Sequence, residues 1–151
     1  MEEFTEKVKQ FFSEFGEGKP MVLSTTDNET VSSRMMSVIQ MNGKFYFQTD
    51  ITMRKCQQIN ANSHVALCID NIQVEGICKN LGHPSENAEF SELFEKCYKG
   101  SYDTYSSLEN ERVYEVIPTY IERWIYKDKV PYIETYDLEN EFYSFKEYIP
   151  L

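Results

Sequence analysis

The sequence predicts a mainly β protein, a small antiparallel β-barrel of six to seven strands with flanking helices. Strand-like runs follow one another through tight turns, and "NGK" at 42–44 is a strong hairpin turn. The helical patterns do not lie between plausible parallel strands, which disfavours a doubly wound sheet. A small barrel is the simplest way to close such a meander of strands.

The chain length and composition fit one folded domain over residues 1–151. The 151 residues are 41% hydrophobic and 15% aromatic, with eleven Tyr and ten Phe. That is enough apolar material for a hydrophobic core and too much for a disordered chain. The net charge of −10 repels nucleic acid and anionic lipid, so we expect neither nucleic acid nor a membrane as a partner.

The cysteines and the start of the chain suggest the setting in which the protein works. The four cysteines are widely spaced, and His64 and His83 lie at no ligand spacing, so no metal site is predicted. The first residues, "MEEFTEKVKQFF", are charged and do not resemble a signal peptide. We therefore expect a cytoplasmic protein with reduced thiols.

Three segments have helical patterns. Residues 2–15 place their apolar side chains on one face, and glycines follow that segment. Two further helices are expected near 52–61 and 85–99. The polar stretch 101–111 is expected to be a loop, and the tail 137–151 permits no assignment.

The strand-like runs are rich in β-branched and aromatic residues. The last long run contains Pro118, whose missing N–H indicates an edge or a bulge. The predicted strands are 21–26, 30–41, 45–49, 64–69, 72–78, 112–128 and 130–136.

The second predicted strand carries apolar groups on both faces. One face holds Arg34, Met36 and Val38, and the other includes Met35 and Ile39. We therefore expect both faces to be covered, one by the barrel core and the other by a partner subunit or a ligand. A charge such as Arg34 on a covered face needs a partner.

The short helix near 52–61 begins with two cations. Thr52 is predicted as its N-cap, so Arg54 and Lys55 lie in the first turn, where the helix dipole disfavours positive charge. A bound anion would reverse that cost, and phosphate suits an Arg–Lys pair best, with Arg34 as a third cation. The alternative is that both side chains point at surface carboxylates such as Asp50.

Taken in order, these segments resemble one family. The basic second strand, the hairpin into the third, the Arg-Lys pair that opens a helix and the single Trp are similar to the flavin-binding split barrels related to pyridoxamine 5'-phosphate oxidase. The resemblance covers roughly residues 20–126. It rests on the runs "RMMSVI", "FYFQT", "QQINANSHVALCI", "IQVEG" and "IERWIY".

The resemblance implies a homodimer that binds FMN at its subunit interface. Asn71 and Trp124 would reach the flavin ring from the opposite subunit. The remaining implied cofactor-binding residues belong to one subunit: Arg34, Met35, Met36, Ser37, Val38, Ile39, Gln48, Thr49, Thr52, Arg54 and Lys55.

The sequence also departs from the family pattern. Met53 stands where the family usually has a Ser, and the segment "YKDKVPYIETYD" lacks the basic groups that bind the phosphate of pyridoxamine phosphate. The implied function is therefore hydride transfer through FMN to or from a small molecule, with a reduced nicotinamide as one candidate donor, and not true pyridoxamine phosphate oxidation. No catalytic side chain is assigned. The alternatives are a non-catalytic flavin or haem storage module of the same fold and a relative that uses a deazaflavin.

Overall fold

Eight antiparallel strands form one continuous sheet in the computed structural model, which describes residues 2–151. The strands are β1 (Gly18–Thr26), β2 (Val31–Met41), β3 (Lys44–Asp50), β4 (His64–Ile69), β5 (Ile72–Gly82), β6 (Glu111–Lys127), β7 (Val130–Asp137) and β8 (Phe142–Glu147).

Four α-helices and a short 3₁₀ turn flank the sheet. They are α1 (Glu2–Phe15), α2 (Arg54–Ala61), the 3₁₀ turn Pro84–Glu86, α3 (Ala88–Cys97) and α4 (Lys99–Tyr105).

Six of the strands close into a barrel. Their order is β3-β2-β1-β4-β5-β6, and β3 pairs with β6 to complete the ring. The remaining strands, β7 and β8, continue the sheet outward from the far half of β6. The predicted mainly β barrel of six to seven strands is therefore confirmed, and β8, which arises from the unassigned tail, adds a strand to the sheet outside the barrel.

Two apolar clusters hold this arrangement together. The barrel interior packs Phe45, Phe47 and Tyr114 together with aromatic residues of α1. The second cluster lies outside the barrel wall, where Phe90 and Phe94 of α3 cover residues of β2, β3 and β6. Burial of these large rings supplies much of the driving force for folding.

The long strand β6 bends where the sequence indicates. Pro118 lies opposite Gly76 of β5, and the β5–β6 register shifts between Glu75 and Gly76. The expectation of a bulge at Pro118 is confirmed. A Cβ on Gly76 would lie 2.7 Å from the Ile117 carbonyl oxygen, so this close approach requires glycine.

The segment 101–111, expected to be a loop, is partly helical. The predicted helix near 85–99 is divided into α3 and α4, with Tyr98 in a non-helical conformation between them. The Tyr98 hydroxyl donates a hydrogen bond to the Val38 carbonyl, 2.8 Å away, which anchors this break on β2. Within residues 2–151, no helix combines the length and the apolar character needed to cross a bilayer.

Candidate functional site

Helix α2 closes one end of the barrel. Its apolar residues Cys56 and Ile59 belong to the barrel core. The buried side chain of Gln58 accepts a 2.5 Å hydrogen bond from the Thr25 hydroxyl and donates to the Ser32 hydroxyl, 3.2 Å away. These contacts fix α2 against β1 and β2, so the position of its first turn is defined by the barrel wall.

The first turn of α2 has no side-chain cap. The N-cap position is Met53, which makes no capping hydrogen bond. The prediction that Thr52 caps the helix is wrong, because the Thr52 hydroxyl donates instead to the Asp50 carboxylate, 2.6 Å away. An uncapped helix start retains the amide donors and dipole that attract anions.

Lys55 is a buried cation in this turn. Its side chain is only 8% exposed, and its ammonium donates to the Thr49 hydroxyl at 2.9 Å and to the Met53 sulfur at 3.1 Å. Both acceptors are neutral. Burial lowers the pKa of Lys55, and the charge of Arg34 lowers it further.

Arg34 projects from β2 toward the same end of the barrel. Its guanidinium donates to the Thr25 hydroxyl at 2.8 Å and to the Leu23 carbonyl at 3.2 Å. Burial and the nearby charge of Arg54 lower the pKa of Arg34. The hydrogen-bond partners of this partly buried guanidinium are therefore neutral oxygens and no carboxylate.

Arg54 completes a cluster of three cations, which we call the cation cluster: Arg34, Arg54 and Lys55. Arg54 is exposed and makes no hydrogen bond among the described residues. None of the ion pairs in residues 2–151 includes a member of the cluster. Asp50 acts electrostatically on Lys55 but lies beyond ion-pair distance. Asp27 likewise interacts electrostatically with Arg54, so the alternative of surface carboxylates keeps through-space support but no ion pair.

Strand β2 presents a free edge beside this cluster. It pairs with β1 along its length but with β3 only at 39–41, so the other edge of 31–38 has no partner strand in the described chain. Met35 is 60% exposed on the outer face. The outer face of this half of β2 is therefore open in the single chain, and its covering by a partner subunit or a ligand stays a prediction.

The other predicted residues of β2 differ in accessibility. Met36 and Ser37 are partly exposed, whereas the side chains of Val38 and Ile39 are buried in the two apolar clusters. A ligand beside Val38 or Ile39 would therefore meet backbone only, and the Val38 carbonyl is already bonded to Tyr98.

Gln48 and Thr49 occupy opposite faces of β3. Thr49 bonds Lys55, as described above. The Gln48 carbonyl oxygen accepts a hydrogen bond from Ser106 at 3.0 Å, whereas its buried amide nitrogen has no partner among the described residues. Gln48 thus faces α4 and the outer cluster.

Asn71 and Trp124 meet each other away from the cation cluster. The Asn71 amide donates to the Trp124 carbonyl at 2.9 Å, and the indole packs against Tyr126 and Tyr148. No described contact connects this aromatic group to Arg34, Arg54 or Lys55. In one chain, therefore, these two predicted residues do not join the others.

Three residues whose side chains contact the cation cluster could not be assigned that role from the sequence: Thr25, Gln58 and Met53. Thr25 and Gln58 are separated by 33 residues and meet only because α2 folds back onto β1. Their polar side chains in otherwise apolar segments give a weak signal of a buried network. Met53 precedes the helix, and its contact with Lys55 has no sequence signature.

A separate cavity of about 550 Å³ lies between the 3₁₀ turn and α4. His83 borders it, with one ring nitrogen 2.9 Å from the Ser85 hydroxyl and the other 2.8 Å from the Leu108 carbonyl. Both ring nitrogens are therefore occupied, and no member of the cation cluster lines this cavity.

A closed six-stranded antiparallel barrel with a cation-bearing helix at its end defines a split-barrel protein. The family model described as pyridoxamine 5'-phosphate oxidase matches residues 4–125. The chain therefore belongs to this family, as the sequence resemblance indicated. No curated protein matches the chain.

Several solved structures share this fold. PhzG from Burkholderia lata 383, in complex with tetrahydrophenazine-1-carboxylic acid, has a TM-score of 0.67 at 15% identity, covering 97% of this chain and 92% of that chain. A pyridoxamine 5'-phosphate oxidase-related, FMN-binding protein from Nostoc punctiforme PCC 73102 has a TM-score of 0.62 at 13% identity, covering 87% of each chain. The heme storage protein HutZ from Vibrio cholerae has a TM-score of 0.60 at 14% identity, covering 75% and 88%.

Proposed function

We propose that the protein is an FMN-binding oxidoreductase that acts on a small molecule. The observation that carries this proposal is the cation cluster at the uncapped start of α2, whose members form none of the ion pairs in residues 2–151. Three unpaired cations in a chain of net charge −10 need an anion to offset their mutual repulsion. The terminal phosphate of FMN supplies two negative charges and several acceptor oxygens.

The residues fit the two ends of FMN differently. Arg34, Arg54 and Lys55 would hold the phosphate through charge-assisted hydrogen bonds. The free edge of β2 would offer backbone donors and acceptors to the flavin ring, as the family resemblance implies for residues around Met35. When bound, the flavin would supply the hydride chemistry, while this chain orients it and limits its contact with water.

The proposed active form is a homodimer. The free edge and outer face of β2 lie open in one chain, and Asn71 and Trp124 lie away from the cation cluster. A second chain placed over β2 would bury that face and could bring its own Asn71 and Trp124 to the ring. Both observations are compatible with the dimer that the family resemblance implies.

Haem storage is another function represented among the structural relatives, beside an F420 reductase. A haem site needs an axial ligand, most often histidine. His64 is exposed on β4, and both ring nitrogens of His83 are already bonded. No histidine contact joins the cation cluster, so the proposal remains with flavin.

The proposal is tested by comparing FMN with riboflavin, which lacks the phosphate. Purified apoprotein is titrated with each compound, and binding is followed by quenching of flavin fluorescence. We expect FMN to bind at least tenfold more tightly, since charge-assisted hydrogen bonds to the phosphate contribute about 1.5–3 kcal/mol each. Equal affinity for the two flavins, or no binding of either, would contradict the proposal.

Single substitutions then locate the phosphate. Arg54→Ala and Lys55→Met should each weaken FMN binding about tenfold while riboflavin binding stays unchanged. Lys96→Ala removes the same charge from a surface ion pair with Glu17 and should affect neither flavin. Circular dichroism establishes that each variant is folded. If Lys96→Ala lowers FMN affinity as much as Arg54→Ala does, the phosphate does not bind at α2.

A further inference from the structure

The Met53 sulfur contacts the ammonium group of Lys55, which would hold the phosphate of FMN. The sulfur lies 3.1 Å from the Lys55 ammonium and 3.4 Å from the Thr49 hydroxyl, and accepts a hydrogen bond from each. Lys55 is 8% exposed, whereas Met53 is 51% exposed. The thioether therefore forms the outer cover of a buried charge.

A thioether is a weak acceptor for so strong a donor. The ammonium of Lys55 has three N–H groups, of which Thr49 and Met53 take two through neutral atoms. A phosphate oxygen is a far better acceptor and would displace the sulfur at small cost. The half-exposed side chain of Met53 is flexible enough to turn away.

Resting on the proposed function, we propose that Met53 sets the affinity of the cation cluster for phosphate and makes that affinity sensitive to oxidation. An incoming phosphate displaces the reduced thioether of Met53 from the Lys55 ammonium. Methionine sulfoxide, in contrast, presents an S=O oxygen, a strong acceptor that remains on the ammonium and competes with the ligand.

The oxidation step requires only a peroxide. The Met53 sulfur attacks one oxygen of hydrogen peroxide, an S–O bond forms and the O–O bond breaks. The sulfur loses two electrons, and the peroxide is reduced to one molecule of water. Since Met53 is half exposed, peroxide can reach it, whereas the fully buried Met21 is protected.

The test compares two proteins that both carry Met35→Leu, because Met35 is also exposed and would be oxidised as well. One of them retains Met53 and the other carries Met53→Leu, and each is compared with its own untreated form. Peptide mass spectrometry establishes which methionines gained oxygen. Oxidation should weaken FMN binding roughly tenfold in the protein that retains Met53, leave its riboflavin binding unchanged, and have no effect in the protein that carries Met53→Leu.

The untreated proteins separate the two proposals. If untreated wild type binds FMN no more tightly than riboflavin, the proposed function fails. If it prefers FMN but oxidation at Met53 leaves that preference unchanged, or if Met53→Leu is equally sensitive, the inference on Met53 fails and the proposed function stands.

A second readout needs no flavin. NMR of the Lys55 side chain follows its titration in the apoprotein. The sulfoxide oxygen should favour the charged form and raise the pKa of Lys55 on oxidation of wild type, and treated Met53→Leu should show no such rise. An unchanged titration in wild type that mass spectrometry shows to be oxidised at Met53 would overturn the inference.

Discussion

At the scale of single residues, Lys55 shows what the cation cluster costs the unliganded protein. An ammonium that is 8% exposed and bonded only to neutral atoms has lost much of its hydration without gaining a carboxylate. Thr49, which accepts one of its hydrogen bonds, is itself buried in β3. A bound anion would offset this desolvation cost. We therefore interpret the burial of Lys55 as a feature that serves ligand binding and not stability.

The pH dependence of FMN binding should report on Lys55. Its pKa is lowered from 10.5, chiefly by burial, and phosphate binds the protonated form. FMN affinity should therefore fall as the pH rises through the lowered pKa of Lys55, before an ordinary lysine would titrate. Fluorescence titrations from pH 7 upward measure this. Lys55→Arg keeps the charge and should give a flat profile, as should riboflavin with wild type; a flat profile for FMN with wild type would contradict the assignment.

The free energy of unfolding and the affinity for FMN are expected to change in opposite directions over this pH range. The pKa of Lys55 is lower in the folded than in the unfolded chain, so the unfolded chain binds more protons between the two values. The free energy of unfolding of the apoprotein is therefore expected to rise as the pH rises through the folded pKa of Lys55 toward 10.5, the range in which FMN affinity falls.

At the scale of elements, the β5–β6 pair depends on one close approach. Gly76 lies against Val116 and Ile117 at the bulge opposite Pro118, and β6 changes there from barrel wall to the base of the β7–β8 extension. The bulge thus allows one strand to serve two parts of the sheet.

Alanine substitutions at two glycines should have opposite effects. Gly76→Ala brings a methyl group to 2.7 Å from the Ile117 carbonyl oxygen, and should lower the free energy of unfolding by about 2 kcal/mol. Gly100→Ala lies within α4 with nothing near the new methyl, and should raise it by about 0.5–1 kcal/mol. Urea unfolding measures both, and a neutral Gly76→Ala would show that the bulge relaxes freely.

Local patterns predicted some elements well and others poorly. The α1 helix spans 2–15, as its apolar spacing indicates, and β4 spans 64–69. The α4 helix contains Gly100 and polar residues with weak helical preference; its Ser106 cap is held by a long-range contact with Gln48. The β8 strand is joined to the barrel extension by Tyr143, whose hydroxyl donates to Glu134 at 2.6 Å. Such tertiary contacts have no local signal.

The residues of the candidate site were also predicted only in part from the sequence. Arg54 and Lys55 stand out because two cations at a helix start conflict with the helix dipole. The Thr52 cap was predicted wrongly, because Asp50 is close enough to bind the Thr52 hydroxyl first. The contacts of Gln58 with β1 and β2 depend on the closed barrel and could not be read from the sequence.

At the scale of the whole molecule, the first half of β2, residues 31–38, has an unpaired edge and an uncovered outer face in the single chain. Val31 and Met35 are 71% and 60% exposed on its outer face. The proposed homodimer would cover this face and place a second chain beside the cation cluster. Cofactor binding and assembly should therefore depend on each other.

A charge at Met35 should separate the two chains. Met35→Asp would place a carboxylate in the proposed interface and should give a monomer with FMN affinity reduced at least tenfold. Leu108→Asp changes another exposed apolar residue, outside the sheet, and should leave both properties intact. Sedimentation velocity measures the mass. A Met35→Asp protein of the same mass as wild type would place the interface elsewhere.

The side-chain amide of Gln58 connects helix α2, which would bind the cofactor, to the start of strand β2. It contacts Thr25 before the 27–29 turn, and Thr30 and Ser32 after it. Any ligand that restrains α2 would therefore restrain this turn as well. Protease cleavage between Asp27 and Thr30 should slow on cofactor loading, although no ligand atom need touch that loop.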